Sequence, residues 1–393
     1  MCRTIAAKAI LLAAGGRVRL PAAVAENQPD QNRMNSGLSD FAARLRRALA
    51  EGFAARHFDS LALELFALQF EHNAAYRKFC QARQRTPQTV EHWTQIPFVP
   101  TAAFKEWELS CLSPAERTAV FHSSGTTEQK PSRHFHHAES LALYEASLWT
   151  AFRQHACERF SVQEPRARLI CLTPPPSQAP HSSLVHMFET LRRKLGAPES
   201  AFVGKVSGDA WGLDFAAAEE ALAAAQEEPA TAMWLWGTAF SFVHLLDYLA
   251  EKNRRLQLPE QSLALETGGY KNRSRALPKN ELHGLIEQRL GLPRERIHCE
   301  YGMCELSSQA YAVADGAFQF PPWARAQIVS PETGREVADG QAGLIRIFDL
   351  ANVFSVAAVQ TGDWGIRRGE AFELRGRAAF AEPRGCSLMS AAA

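Results

Sequence analysis

Hydroxyls, a glycine and a lysine gather in Phe121-His122-Ser123-Ser124-Gly125-Thr126-Thr127-Glu128-Gln129-Lys130-Pro131-Ser132, between two apolar runs. That mixture suits a phosphate. Gly125 lets backbone N–H groups converge on an anion, Ser123, Ser124, Thr126 and Thr127 supply hydroxyls, and Lys130 adds a compact positive charge. The spacing is not that of a Walker A loop, because Lys130 is followed by Pro131 rather than by Ser or Thr. Taken alone, the stretch reads as an ordinary Ser/Thr-rich surface loop. Two further stretches carry acids: Glu300-Tyr301-Gly302-Met303-Cys304-Glu305, and Thr361-Gly362-Asp363-Trp364-Gly365. By themselves, Glu305 is a solvated loop carboxylate and Gly362-Asp363 a common β-turn pair. Nothing near Cys304 would lower a thiol pKa, so it reads as a small packed residue.

Positioning these groups falls to elements whose apolar spacing is legible. Leu38 to about Gln84 has helical periodicity, with Asp59 and Ser60 offering a cap between two helices. Trp93 to Lys105 reads as an extended, proline-punctuated segment. Ala119–Phe121 and His134–His136 are short enough to be hairpin strands that present the phosphate-type loop at their tip. Downstream, runs at Arg168–Leu172, Ala230–Gly237, Ser262–Leu265 and Ile297–Cys299 read as buried strands. They alternate with helices from about Ser183, over Phe240–Arg254, and over Glu281–Leu290 before Gly291 and Pro293. An alanine-rich helix is expected near 216–225. Beyond Trp323, Ala326–Val329, the Pro331–Gly334 turn and Gly343–Phe348 are hairpin-like. The expectation is α/β (α+β) layering of mixed sheets and helices, with a small β subdomain from about 323.

Three motifs in order carry a resemblance. The loop resembles the Ser/Thr-Ser-Gly-Thr-Thr-Gly-x-x-Lys loop of acyl-adenylate-forming enzymes, with Glu128 in place of the second Gly. Tyr301 to Glu305 resembles their Tyr-Gly-x-Thr-Glu motif, with Cys304 in the Thr place, and Thr361-Gly362-Asp363 resembles their Thr-Gly-Asp motif. A Gly376-Arg377 pair follows where that family places its hinge. The resemblance implies ATP as cosubstrate, Glu305 as the oxygen ligand for Mg²⁺, Tyr301 and Gly302 beside adenine, and Asp363 accepting both ribose hydroxyls. Within the superfamily the chain is most similar to the LuxE-type acyl-protein synthetases, related to phenylacetate-CoA ligases. Glu266-Thr267-Gly268-Gly269-Tyr270-Lys271 and Ala381-Glu382-Pro383-Arg384-Gly385-Cys386-Ser387-Leu388 carry that likeness. It implies Cys386 as the acyl-accepting thiol, a carboxylic acid substrate that is a fatty acid of unspecified chain length, and an acyl-reductase partner. The usual lid domain and its lysine are missing, so Lys130, Lys271 and Arg273 stand as substitutes for charge stabilisation. An acyl-CoA ligase and a nucleotide-binding protein without catalysis are the rival readings.

At 393 residues, 46% of them hydrophobic, the chain can bury a large core. A net charge of +1 gives no bulk field toward nucleic acid or an anionic membrane. Eight scattered cysteines without a Cys-x-x-Cys pair suit a reducing cytoplasm, and no apolar run reaches the roughly 18–20 residues of a membrane span. The expected division is an extension over 1–33, an adenylation domain over 34–375, and a hinge with an acyl-accepting tail over 376–393. Arg3 and Lys8 before an apolar run look like a signal peptide, but Gly15-Gly16-Arg17 interrupts it, and Met34 is an alternative start.

Overall fold

Met233-Trp-Leu-Trp-Gly-Thr238 is buried at every position, the pattern of a strand covered on both faces. A computed structural model describes residues 31–123, 130–158, 167–195, 200–208, 210–227, 231–268, 277–313 and 316–377. In chain order, α1 (Gln31–Glu51), α2 (Phe58–His72) and α3 (Ala74–Gln81) precede β1 (Val99–Pro100) and α4 (Ala103–Glu106). Next come the hairpin β2 (Ala119–His122) and β3 (Arg133–His136), then α5 (Ala138–Phe152), β4 (Arg168–Cys171) and α6 (Ser183–Leu195). The middle continues with β5 (Ala201–Phe202), β6 (Gly204–Ser207), β7 (Ala210–Leu213), α7 (Phe215–Glu227), β8 (Met233–Thr238) and α8 (Ala239–Glu251). After β9 (Leu263–Thr267), α9 (Lys279–Leu290), β10 (Ile297–Tyr301) and β11 (Ala310–Val313), the chain closes with β12 (Ala324–Val329), β13 (Ala342–Asp349), β14 (Ala358–Arg368) and β15 (Ala371–Arg377).

The central sheet has the order β11-β10-β9-β8-β4-β5. Every neighbouring pair is parallel except β10 with β11. Parallel neighbours require crossovers, and α6, α8 and α9 supply three of them. One apolar cluster lies between this sheet and α7–α9; Leu246, Leu282, Ile286 and Ile297 belong to it. A larger cluster joins α1–α3, α5 and α6 to the second sheet. In α1, Leu38, Phe41, Ala42, Leu45 and Leu49 form the buried stripe of a helix with one apolar face.

The second sheet has the order β1-β14-β13-β12, with β15 also on β14. It therefore takes in β1 from far upstream, paired parallel with Val359 and Gln360. Asp363 sits where the outer partner of β14 changes from β1 to β15. The Thr361–Gly365 stretch is continuous strand rather than the β-turn that Gly-Asp suggests in isolation.

Local expectations needed adjustment in three places. Asp59 and Ser60 do not cap α2: the turn Ala55–His57 runs directly into Phe58, leaving both in the first helical turn, where Ser60 Oγ donates to the His57 carbonyl at 3.0 Å. The extended segment after Trp93 is broken by α4, packed through fully buried Phe104. The β5 strand and the β6–β7 hairpin were not anticipated. Their runs are too short for periodicity to register.

Candidate active site

Tyr301, the last residue of β10, lies in an aromatic box with ring centroids 5.9, 6.3 and 5.3 Å from those of Phe318, Phe320 and Phe372. Its hydroxyl donates to Asp363 Oδ2 at 2.9 Å. From the other side, Arg377 Nε donates to Asp363 Oδ1 at 3.2 Å. The β14–β15 register shifts so that Gly376 opposes Trp364 and Arg377 opposes Asp363. Gly376 makes that shift with φ of +100°, a conformation that a side chain disfavours. Asp363 is held further by its own N–H, which donates to Thr361 Oγ1 at 3.1 Å, while that hydroxyl donates to the Ile345 carbonyl at 2.8 Å. A carboxylate offers about four lone-pair directions, so the Tyr301 and Arg377 bonds leave room for two more donors.

Gly302 is required by close approach, since a Cβ there would stand 2.2 Å from Glu300 Oε1. Burial, reinforced by Glu266, pushes the Glu300 carboxyl up to about 8, so it is mostly protonated at neutral pH. Three residues after Gly302, Glu305 is fully buried, and the Cys304 thiol donates to its Oε2 at 3.3 Å. Asn352 Nδ2 donates to the Glu305 carbonyl at 2.9 Å. Asp349 accepts from the N–H groups of Ser307 and Ser308, each at 2.8 Å, and from Ser308 Oγ at 2.7 Å. Burial raises the Asp349 carboxyl, while those bonds oppose the shift. Gln69 of α2 locks this region from behind: Nε2 donates to the Asn352 and Val353 carbonyls, and Oε1 accepts from the Ala357 N–H.

The hairpin bearing the hydroxyl-rich loop is tied to the Glu305 loop. His134 Nδ1 lies 2.7 Å from the Cys304 carbonyl and acts as donor, because a carbonyl can only accept. The alternation of β3 buries His134 and His136 together, with ring centroids 4.1 Å apart. Burial pushes His134 down to about 4 and His136 well below its ordinary value, so both rings are neutral at pH 7. At the neck of the hairpin, Ser123 N–H donates to the Ser132 carbonyl at 3.2 Å, and Ser132 N–H returns a bond to Ser123 Oγ at 2.8 Å.

The family model described as "Acyl-protein synthetase, LuxE" matches residues 47–393. The chain belongs to that family. It is thus an ATP-dependent, AMP-forming ligase, in accord with the acyl-adenylate-forming architecture. A similar relative, the long-chain-fatty-acid–luciferin-component ligase of Aliivibrio fischeri, is 24% identical over 347 residues, covering 85% of this chain and 87% of that one. Among solved structures, 2-hydroxyisobutyryl-CoA ligase in complex with 2-HIB-AMP and CoA has a TM-score of 0.58 at 14% identity, covering 91% of this chain and 72% of that one. The chain spans 49% of ATP-bound MatB from Rhodopseudomonas palustris, which it matches at 17% identity over 68% of its own length, with a TM-score of 0.46.

Among the residues expected to act in this LuxE-family chain, Tyr301, Asp363 and Arg377 are joined by hydrogen bonds, Gly302 and Glu305 follow Tyr301 in the same loop, and Ser123 sits at the neck of the hairpin tied to that loop. Lys130 is about half exposed, with Nζ 3.9 Å from Glu106 Oε2, an exposed pairing of small energetic weight. Ser124, Gly125, Thr126, Thr127, Lys271 and Cys386 lie outside the described residues. His134, Asp349, Asn352 and Gln69 were not singled out from sequence. The period-two pattern of His134-Phe135-His136 is the signal that places two histidines on one strand face.

Proposed function

We propose that this chain activates a fatty acid with ATP and then carries the acyl group on Cys386, delivering it to a reductase or another acceptor. The substrate carboxylate attacks the α-phosphorus of ATP and pyrophosphate leaves, giving an acyl-adenylate. The Cys386 thiolate, its proton lost to solvent and its charge favoured by neighbouring Arg384, then attacks the acyl carbonyl, and AMP leaves with the bonding electrons. The observation that carries the reading is the Tyr301–Asp363–Arg377 cluster, which presents a carboxylate with acceptor capacity to spare. It supports Asp363 as acceptor for both ribose hydroxyls, with the Tyr301 ring bordering the adenine site. The hydroxyl-rich loop and Lys130 are assigned to the phosphates, and Lys271 to charge stabilisation during adenylation. Glu305 fits a hard divalent cation as an oxygen donor; Mg²⁺ held there would neutralise phosphate charge. The fatty acid is inferred from the name of the Aliivibrio fischeri relative.

Labelled fatty acid with ATP, and no CoA, is expected to tag the wild-type protein, with release of the label by neutral hydroxylamine. Cys386→Ala keeps acid-dependent pyrophosphate exchange and loses the label. Hydroxylamine-sensitive label on Cys386→Ala would move the nucleophile elsewhere, and label appearing only on added CoA would replace this reading with an acyl-CoA ligase.

A further inference from the structure

Three ionisable side chains from three elements meet under the carboxyl ends of β9 and β10. Glu266 and Cys299 are paired across the β9–β10 ladder, and His283 comes from the first turns of α9. All are buried, with exposures of 5%, 1% and 0%. Cys299 Sγ lies 3.6 Å from Glu266 Oε2 and 3.8 Å from His283 Nε2, and His283 Nε2 lies 3.6 Å from the same Glu266 oxygen. Leu282, beside His283 in α9, and Ile297, at the start of β10, are themselves buried apolar residues that cannot solvate charge. Burying such a group is costly unless a partner compensates it.

We propose that Glu266, His283 and Cys299 form a site for one divalent transition-metal ion, of which zinc is the best match. The geometry is that of three ligands around a common centre. Edges of 3.6, 3.8 and 3.6 Å put that centre about 2.1 Å from each donor, close to the roughly 2.0–2.3 Å of zinc bonds to oxygen, nitrogen and sulfur. A thiolate and an imidazole select a borderline-soft ion and disfavour Mg²⁺ or Ca²⁺, so this site is chemically distinct from Glu305. The fourth position falls to a water or the second oxygen of Glu266. On binding, the Cys299 thiol proton leaves to bulk water as the S–metal bond forms, and the metal's charge is unchanged. The Lys279 side chain also reaches Cys299, while Glu300, next along β10 and directed to the opposite sheet face, acts on Glu266 electrostatically. The ion would staple α9 to both strands two residues before Tyr301 and Gly268.

Full-length protein from zinc-supplemented culture, gel-filtered and analysed by elemental mass spectrometry, is expected to hold about one zinc per chain. Replacement by Co²⁺ is expected to give a thiolate-to-cobalt charge-transfer band, measured on wild-type protein so that no variant need fold. Cys299→Ser removes that band, and Cys299→Ser and His283→Ala each weaken metal binding by at least the roughly 10- to 100-fold that losing even a supporting residue costs. Wild type with below about 0.1 equivalent of zinc and no cobalt band would overturn the proposal and leave Lys279 as the cluster's counter-charge. Zinc held with unchanged affinity by folded Cys299→Ser would overturn it as well. Neither result bears on adenylation, which pyrophosphate exchange measures separately.

Discussion

Asp363 receives a phenol and a guanidinium on different oxygens, so its negative charge is fixed in place before any ligand arrives. A preset acceptor saves the ordering that a free carboxylate would need on binding. Asp363→Ala is therefore expected to lower pyrophosphate exchange at least about a hundredfold, since two charge-assisted hydrogen bonds at roughly 1.5–3 kcal/mol each are lost. Tyr301→Phe keeps the ring in its box of Phe318, Phe320 and Phe372 and removes the hydroxyl alone. Its effect on exchange is expected to be smaller than that of Asp363→Ala, because the carboxylate and its Arg377 partner both remain. Exchange assays on the two variants check this, and an active Asp363→Ala would remove the ribose assignment.

The β2–β3 hairpin is fastened through a neutral histidine, which makes the attachment sensitive to acid. His134 has a folded-state value of about 4 against an ordinary 6.5, lowered by burial. Between those values the unfolded chain binds the proton and the folded chain does not, so stability rises with pH. The contribution is fully present above about pH 6.5 and is lost as pH falls toward 4, amounting to about 3 kcal/mol from His134 alone. His136 adds in the same direction. Urea unfolding at pH 7 and pH 5 is expected to show the loss, and His134→Asn is expected to reduce that pH dependence. Legibility at this scale followed the length of the pattern. The hairpin strands, β4, β8, β9 and α9 could be read because apolar runs and alternation are local properties. The hydrogen bond from His134 to residue 304 has no local signature, nor does Gln69 reaching residues 352–357. Both depend on which distant segments the fold brings together.

Across the whole molecule, an α/β sheet and a second sheet meet where Tyr301 at the end of β10 bonds Asp363 of β14, two residues that only the family resemblance had associated. The pairing of β1 with β14 was not predictable, because a two-residue strand carries no periodicity and its partner lies about 260 residues away. Nor could spacing reveal the bulge that aims Arg377, although the Gly376-Arg377 pair marked its position. That bulge has a consequence for kinetics. It pins the polypeptide at Arg377 to the carboxylate of Asp363, and nine residues of covalent chain lead from there to Cys386. Nine residues reach at most about 30 Å, so one thiol confined to that sphere has a local concentration on the order of 10 mM, above what protein in free solution provides. Acyl transfer should accordingly be unimolecular, with a rate constant independent of protein concentration. Mixing Cys386→Ala with Asp363→Ala, one able to adenylate and the other still bearing the thiol, should restore little labelling at micromolar protein. Efficient rescue in that mixture would mean that the acyl-adenylate, or the thiol, travels between molecules, and that the anchor at Arg377 does not govern the transfer.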